Sequence, residues 1–346
     1  MFSKKSILLT MAILMVFSCL VFSISYAADA PTESAEEGMQ FYLKFSLIEN
    51  EEHPSAAGAR AFKEKIEELS GGQIQVELFF NSTLFTQAGT LPALTSGQLD
   101  ISYLSKQLTA TLMPDMEMFA STYMFKNYEH MRAVMDSDIG KELAQRIEDK
   151  AGYIPLDFHY SGNRNINSRT EDPIMTPEDM ADIILRMPDS PTWIQAGESL
   201  GAKVTPLAYA EVYTALQTGT IDAQDNPVTG TYTSKFYEVT KQYSLTGHLV
   251  DFAMLGLSKK VWDKMTEQQQ EWVREAGLYC EEAFDAAVLK MEAEMIDFFE
   301  GEGLTIVHPD IDAFREHSYN YYVSNGLTSN WNMELYNQIQ AMADQY

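Results

Sequence analysis

The stretch "ALQTGTIDAQDNP", residues 215–227, places three polar side chains and a proline at the end of a short apolar strand. A helical run ends at Gly219, a residue that adopts the left-handed conformation of a helix cap without penalty. The strand that follows ends in Gln224, Asp225 and Asn226. In open α/β sheets, ligands bind beyond the carboxyl ends of the strands. The segment therefore predicts an α/β fold with a strand end that faces a cleft.

A second segment has the same arrangement about 120 residues earlier in the chain. "ALTSGQLDIS", which begins at Ala93, shares with "ALQTGTIDAQ" the pattern Ala-Leu-x-[Ser/Thr]-Gly-x-[Leu/Ile]-Asp. Two copies of a helix, a glycine and a strand indicate two lobes of similar topology. The strand ends "SYLS" and "QDNP" would then face each other across a cleft. The alternative is that these segments are two ordinary helix-to-strand turns.

The N-terminal part of the chain predicts a parallel sheet. "MQFYLKFSL" is typical of a buried strand, and "HPSAAGARAFKEKIEELSGG" predicts a helix that begins at Pro54 or Ser55 and ends before Gly71. "QIQVELFF" alternates between apolar and polar residues, as a half-buried strand does. Strand, helix and strand in this order form a βαβ unit, whose strands are parallel.

One unusually long helix is predicted near the C-terminus. The pattern begins at a Thr266 cap and continues to Gly301 or Gly303, some 35 residues. At 1.5 Å per residue such a helix is about 50 Å long, enough to run across two lobes. A coiled coil is the alternative, but apolar residues do not recur at the a and d positions of a heptad.

The first 27 residues predict a secretory signal peptide, residues 1–27. Lys4 and Lys5 precede an apolar run at 7–24, and small residues follow up to Ala27. Cleavage after Ala27 would release an exported protein. An uncleaved membrane anchor is the alternative, since about 20 apolar residues can span a bilayer.

Composition narrows the classes of partner. The chain has 346 residues, of which 50 are acidic and 24 basic, so its formal net charge is −26. Such a surface repels nucleic acid and anionic lipid, and a site for an anionic ligand must be built locally. After removal of the signal peptide Cys280 is the one cysteine left, so an internal disulfide is excluded.

The sequence shows none of the common motifs for catalysis, cofactor binding or metal binding. We find no H-E-x-x-H motif, no phosphate-binding glycine loop and no dinucleotide fingerprint, and the histidines lack metal-ligand spacing. The sequence therefore predicts no catalytic residue, no cofactor and no metal. An enzyme built on scattered carboxylates is the alternative that this reasoning leaves open.

Arginines occur where strands and loops should border the cleft. Arg186 ends a nearly continuous apolar strand in "ADIILRMPDSPTW", and Arg164 lies in a Gly-Asn turn in "HYSGNRNINSR". Charge on a buried strand is costly unless it is paired, and a guanidinium matches a carboxylate with two parallel hydrogen bonds. Asn226 offers a donor and an acceptor at the next strand end. A structural ion pair is the alternative for each arginine.

Residues 186–248 resemble the substrate-binding proteins of TRAP transporters, the tripartite ATP-independent periplasmic transporters of DctP type. The matching motifs are R-x-P, L-G-A, E-[VL]-Y-x-A-L-Q-T-G-x-[VI]-D, Q-[ED]-N-P, K-F-Y-E-V and L-T-x-H. Weaker matches, such as "SGGQIQVELF", "SGQLDIS" and "GNRN", extend the resemblance over nearly the whole mature chain.

The resemblance implies a two-lobed α/β fold of the periplasmic-binding-protein type. Each lobe is then a mixed sheet flanked by helices, and one long helix spans both lobes. We expect lobe I to comprise residues 38–161 and 252–290, and lobe II to comprise residues 162–251 and 291–346.

The resemblance also implies site residues. The signature arginine that clamps the substrate carboxylate falls on Arg186, a second arginine on Arg164, and the asparagine of Q-[ED]-N-P on Asn226. The ligand-touching strand end of the first lobe falls near Ser105. Two further aromatic residues are candidate pocket walls or lobe packing, namely Trp193 and Tyr209.

The implied function is that of a periplasmic receptor, not an enzyme. It binds a small organic anion (a C4-dicarboxylate, sugar acid, keto acid or aromatic acid) and delivers it to a small and a large TRAP membrane subunit. Two alternatives remain at this point: a receptor that senses the same ligand for a signalling partner, and an exported enzyme that acts on acidic substrates.

Overall fold

The structure, a computed structural model, describes residues 40–346. The predicted signal peptide therefore lies outside the described residues. Nine strands form one mixed sheet: β1 (Phe41–Ser46), β2 (Ile74–Phe79), β3 (Ile101–Ser105), β4 (Tyr153–Ser168), β5 (Ile184–Met187), β6 (Lys203–Pro206), β7 (Ala223–Asn226), β8 (Gln242–Ser258) and β9 (Thr305–Val307). Their order is β2-β1-β3-β8-β4-β7-β5-β6, and β9 pairs with β8 beside this path.

Thirteen α-helices of the described residues flank the sheet. They are α1 (Pro54–Leu69), α2 (Gln87–Ser96), α3 (Lys106–Thr109), α4 (Glu117–Ala120), α5 (Tyr128–Met135), α6 (Asp138–Ala151), α7 (Pro191–Ser199), α8 (Val212–Thr218), α9 (Val228–Thr233), α10 (Lys259–Trp262), α11 (Glu267–Gly301), α12 (Ile311–Ser324) and α13 (Met333–Met342). The mixed α/β class is therefore confirmed. None of the helices in residues 40–346 combines the length and the apolar character that crossing a membrane requires.

The predicted βαβ unit is present. Strands β1 and β2 are parallel, with Phe41 opposite Ile74, and α1 begins at Pro54 between them. β3 is parallel to β1 on its other edge, and β5 is parallel to both β6 and β7 at the far end of the sheet.

Both predicted glycine caps occur. Gly97 closes α2 and Gly219 closes α8, each in the left-handed conformation with φ 78°. The amide of Gly97 donates to the carbonyl of Leu94, and that of Gly219 donates to the carbonyl of Leu216. The same local chemistry thus feeds the chain into β3 and into β7.

Two long antiparallel strands hold the sheet together. β4 has 16 residues and β8 has 17, and their pairing shifts register in three places, one of them between Tyr160 and Gly162. The predicted Gly-Asn turn at Arg164 is therefore wrong, because the chain continues as strand through it. Gly162, with φ 110°, allows the bulge that keeps the strand intact. A Cβ atom there would lie 2.6 Å from the Cβ of Pro227.

The long helix α11 is confirmed at 35 residues. Thr266 caps it, in a capping box with Gln269. The helix packs against α1, β4, α9 and β9. Buried Cys280 faces Tyr103, with 3.2 Å between the thiol and the phenol oxygen. β8 and β4 lie next to each other at the centre of the sheet. The division of the chain into lobes I and II stays a prediction.

Candidate ligand-binding cleft

The polar ends of three strands border one cavity of about 120 Å³. Ser46 ends β1, Ser105 ends β3 and Asn226 ends β7, and all of them border this first compartment. The strand ends that the repeat predicted to face each other are thus brought together.

A second compartment of about 360 Å³ lies beside the first and contains Arg186. Ser105, Trp193 and Tyr209 border both compartments, so the two compartments adjoin, and we call them together the cleft. Arg164 and Asn226 border the first compartment alone. All six sequence-predicted residues therefore lie at the cleft, whose size is in the range of small-molecule sites, about 300–1,000 Å³.

Arg186 is a buried cation without a carboxylate partner among residues 40–346. It is the third residue of β5 and is 1% exposed. Its Nε and Nη2 donate to the carbonyl oxygen of Leu207 at 2.8 and 2.6 Å, and the ring of Tyr209 lies 5.8 Å from its Cζ. Burial lowers the pKa of Arg186 to about 10, so the guanidinium stays charged at neutral pH. The charge of Asp225 acts on this guanidinium, but no carboxylate of residues 40–346 lies within ion-pair distance of it.

Arg164, on β4, has two carboxylate partners. Its Nε donates to Asp225 Oδ2 at 2.7 Å and its Nη2 to Asp225 Oδ1 at 3.0 Å, while Nη1 donates to Asp251 Oδ2 at 3.0 Å. The guanidinium lies 4.5 Å from the ring of Trp193. Burial alone would lower the pKa of Arg164, but Asp225 and Asp251 outweigh it and raise that pKa.

Lys106 completes a balanced group of charges, which we call the paired cluster: Lys106, Arg164, Asp225 and Asp251. The ammonium of Lys106, fully buried at the start of α3, donates to Asp251 Oδ1. Burial opposes ionisation of Asp225, yet Arg164 and His248 hold its pKa below the usual range. Two cations and two carboxylates leave this cluster without net charge.

Asn226 is held on both sides of its amide. Its Oδ1 accepts from Arg164 Nη2 at 3.2 Å, and its Nδ2 donates to Gln224 Oε1. Ser105 Oγ accepts the backbone N–H of Leu108 at 3.2 Å and so caps α3. Both side chains are thereby fixed at the rim of the first compartment.

Trp193 and Tyr209 form aromatic walls of the cleft. Trp193 lies in α7, and its indole Nε1 has no hydrogen-bond partner within residues 40–346. The Tyr209 hydroxyl lies 2.7 Å from Ser234 Oγ, and its ring packs on Phe236. Both residues combine packing with a position at the cleft, so the two interpretations of the sequence do not exclude each other.

A comparison with known families decides the class of protein. Residues 45–325 match the family described as bacterial extracellular solute-binding protein, family 7, or DctP. The chain belongs to this family. The resemblance to TRAP solute-binding proteins is thereby confirmed.

Individual family-7 proteins are similar over most of the chain. The sialic acid-binding periplasmic protein SiaP of Vibrio cholerae serotype O1 is 32% identical over 258 residues, which cover 75% of this chain and 80% of SiaP. A TRAP periplasmic solute-binding protein of Roseobacter denitrificans, solved with bound 3-deoxy-D-manno-oct-2-ulosonic acid, is 35% identical with a TM-score of 0.82. The match covers 88% of this chain and 99% of that one.

A second solved TRAP periplasmic solute-binding protein, from Polaromonas sp. JS666, has D-erythronate bound. It is 28% identical with a TM-score of 0.82, and the match covers 87% of this chain and 99% of that protein. These proteins bind solutes, so the chain is a binding protein and not an enzyme.

Sequence reasoning missed Lys106, Asp251 and His248, which contact Arg164 or its carboxylate partners, and it missed Glu49, which borders the first compartment. A signal for Asp251 was available, because it is a lone acid in the apolar run "HLVDFAML" and a buried charge needs a partner. Glu49 follows β1 in "SLIEN", at the carboxyl end of a parallel strand, where the strand-end rule applies.

The letters of a nucleophile elbow were also overlooked. "GESLG" at 197–201 matches G-x-S-x-G. A nucleophile elbow turns from strand to helix, whereas Ser199 is the last residue of α7 and fully buried, with its hydroxyl donated to the carbonyl of Ala196. Among residues 40–346, no group of three His, Cys, Asp or Glu side chains is placed to hold a metal ion.

Proposed function

We propose that the protein is a periplasmic receptor that binds a small organic carboxylate in the cleft and delivers it to TRAP membrane subunits. The observation that carries this proposal is Arg186, a buried guanidinium with no carboxylate partner among residues 40–346. A ligand carboxylate supplies the missing counter-charge with two parallel hydrogen bonds.

The geometry of Arg186 favours this clamp. Guanidinium has five N–H donors, and the Leu207 carbonyl occupies the donors on one side, at Nε and Nη2. The other donors remain for the ligand. Because the bound carbonyl fixes the plane of the fork, little side-chain freedom is lost when the carboxylate arrives.

The other predicted residues have supporting roles in this proposal. Asn226 orients the ligand beside Arg164, which acts as a charged wall because its own carboxylate partners are already in place. Ser105, Trp193 and Tyr209 line the junction of the compartments. Lobes I and II would close on the ligand, which shifts the equilibrium by its differential affinity for the closed state.

Three observations support the location and the partners. The sequence begins with a predicted signal peptide at residues 1–27, and the similar SiaP is a periplasmic protein by name. The solved relatives, named as TRAP solute-binding proteins, have a sugar acid bound in each case reported above. Delivery to a small and a large membrane subunit follows from membership of a TRAP system.

The test begins with a thermal-shift screen of the purified protein against carboxylic acids and their neutral amides. A ligand at 100 times its Kd stabilises the protein by about 2.7 kcal/mol. The affinity of the acid found is then measured by calorimetry for the native protein and for Arg186→Ala. Loss of a buried charged partner costs about 2–5 kcal/mol, so we expect binding to weaken roughly 30-fold to several thousand-fold.

Arg186→Lys is the matched variant, because it keeps the charge and loses the fork. It should restore only part of the affinity. The proposed clamp would be contradicted if the Arg186→Ala protein is folded and binds the acid as tightly as the native protein does.

A further inference from the structure

The helices α12 and α13 contribute to the apolar clusters on two different sides of the cleft. Phe314 of α12 is fully buried in the cluster of Trp193, which lies on α7 at the cleft. Ile339 of α13 is fully buried in the cluster of Leu104, which lies on β3, a strand that ends at the cleft. Residues 311–346 therefore connect the α7 side of the cleft with the β3 side, and we call them the strap.

The strap is attached firmly to the α7 side. His317 Nδ1 and Ser318 Oγ both donate to the carbonyl oxygen of Ser199, the last residue of α7, each at 2.9 Å. Ser318 and Phe314 are also buried. Since apolar burial and hydrogen bonds combine here, we expect this end of the strap to stay in place.

The attachment of α13 to the β3 side depends more on polar contacts. α13 has ten residues and buries one of them completely, Ile339. A helix this short is marginal in water by itself, so it needs its contacts with the neighbouring α5. The carbonyl oxygen of Ile339 lies 2.9 Å from His130 Nε2, and Gln340 Nε2 donates to the carbonyl of Met124 at 2.8 Å. This is the end of the strap that is easier to release.

His130, in α5, binds backbone groups with both nitrogens of its ring. The amide of Lys126 donates to Nδ1 at 3.1 Å, so Nδ1 is an acceptor. In the neutral ring the proton is then on Nε2, which donates to the carbonyl of Ile339. A second proton on Nδ1 would turn this acceptor into a donor that faces the N–H of Lys126. The contact between α5 and α13 therefore requires the neutral imidazole.

The surroundings of His130 favour this neutral form. Burial, together with the charge of Lys126, lowers the pKa of His130. The ring of Tyr346 stacks on the imidazole at 6.3 Å between centroids, and the nearby acids Glu129 and Asp344 are exposed. When α13 is released the imidazole reaches water, where the pKa of histidine is about 6.5. The released form then binds a proton more readily, so falling pH favours release.

We propose that residues 311–346 are a pH-sensitive strap that holds the two sides of the cleft together, and that protonation of His130 releases α13 and allows the cleft to open. This inference rests on the closure of the cleft that is part of the proposed function, and it adds a control of that closure. Release of the strap is separable from global unfolding. Burial raises the pKa of Glu281 and Asp285, and these two groups stabilise the whole fold at low pH, which is the opposite direction.

Hydrogen exchange of the ligand-free protein tests the release of α13. The exchange of the α13 amides is measured at pH 7.5 and pH 5, each relative to the intrinsic rate at that pH. In the native protein the released fraction of α13 should increase about ten-fold at pH 5, because release gains at most about ten-fold for each pH unit below 6.5. His130→Gln keeps a donor for the carbonyl of Ile339 and cannot take up a proton, so its released fraction should not depend on pH.

His53→Asn is the matched control. His53 is another buried histidine with a lowered pKa, and it caps α1. Asparagine is also a good helix cap, so the variant removes the titration and keeps the cap. It should show the same ten-fold response of α13 as the native protein.

Spin labels across the cleft test whether release opens it. Thr83→Cys follows β2 on the β3 side, and Gln217→Cys lies in α8, which packs against β5 on the α7 side; both positions are exposed. The fully buried Cys280 is not expected to react with the label. The distance between the labels should be longer at pH 5 than at pH 7.5. Deletion of residues 333–346 should give the longer distance at both pH values.

The inference is overturned if α13 of the native protein is released equally at both pH values, or if His130→Gln responds to pH as the native protein does. It is also overturned if His53→Asn abolishes the response, or if α13 is released while the distance between the labels stays the same. A protein whose strap and cleft respond as expected, but which binds no carboxylic acid, would support the strap and contradict the proposed function.

Discussion

Two buried arginines lie on neighbouring parts of one sheet, and their surroundings are opposite. Arg164 on β4 is 7% exposed and forms ion pairs with Asp225 and Asp251. Arg186 on β5 is 1% exposed and donates to a backbone carbonyl. The first charge forms ion pairs within the protein, whereas the second has no carboxylate within ion-pair distance among residues 40–346.

The difference separates an arginine that belongs to the scaffold from one that awaits a ligand. Each charge of a buried ion pair already has its counter-charge, so a ligand carboxylate would gain little from binding there. If one partner is removed, the remaining charge is buried without a counter-charge and its desolvation is no longer compensated. An unpaired buried guanidinium bears that cost in the free protein and recovers it on binding an anion. Stability measurements and binding measurements should therefore respond to different arginines.

The largest expected effect on folding is at Arg164. Arg164→Met leaves Asp225 and Asp251 buried, with Lys106 bound to Asp251 and His248 3.2 Å from Asp225. Breaking a buried pair by removing one partner costs about 3–5 kcal/mol. We expect the free energy of unfolding in urea to fall by this amount.

Arg169→Met provides the matched control on the same segment. Arg169 is half exposed and lies 3.8 Å from Asp222, so its removal should cost less than about 1 kcal/mol. Equal losses in the two variants would show that burial of the ion pair does not matter, and the comparison between the arginines would lose its basis.

The helices and strands could be predicted from the sequence, but the ion pairs of the buried arginines could not. Period, caps and glycine positions predicted the βαβ unit, α11 and both left-handed caps, because each depends on residues close in the chain. The partners of Arg164 are 61 and 87 residues away, and only the pairing of β4 with β7 and β8 brings them together. The same pairing extends β4 through Arg164, where local composition favours a turn.

The position of the cleft was predictable, and its charge balance was not. The strand-end rule placed Ser105 and Asn226 at the cleft. Whether an arginine there is free or paired depends on acids from distant strands, such as Asp251 on β8. Glu49 follows a strand end just as Ser105 does. From the sequence alone, however, an acidic residue in this position is indistinguishable from an ordinary loop residue.

A third arginine, Arg132, extends the comparison, because more carboxylates surround it than one positive charge can neutralise. Arg132 Nη1 lies 2.8 Å from Glu281 and 3.9 Å from Asp285, both on α11, and its Nη2 also binds Asp136. Burial raises the pKa of Glu281 to about 8 and that of Asp285 to about 6, despite the nearby guanidinium.

These raised pKa values make stability fall as pH rises. The folded protein holds protons on Glu281 and Asp285 that the unfolded chain releases near pH 4, so the stabilisation is complete below about pH 4 and is lost up to pH 8. We expect the free energy of unfolding to drop by up to about 5 kcal/mol between pH 5 and pH 8 from these groups, most of it from Glu281.

Glu281→Gln should flatten this pH dependence, because glutamine keeps the shape of the side chain and cannot ionise. Urea unfolding of the native protein and the variant at pH 5, 6.5 and 8 measures the difference. A native protein that is as stable at pH 8 as at pH 5, or a variant with an unchanged slope, would contradict the raised pKa of Glu281.

The smallest expected effect is on folding at Arg186, in the absence of ligand. Arg186→Met removes an unpaired buried charge, which is favourable, and leaves the carbonyl of Leu207 without its two donors, which is unfavourable. The two contributions oppose each other, so the free energy of unfolding should change by less than about 1 kcal/mol. A loss of unfolding free energy as large as that of Arg164→Met would mean that Arg186 itself stabilises the fold. A variant that stays stable but is no longer stabilised by the acid would show that Arg164 serves folding and Arg186 serves binding.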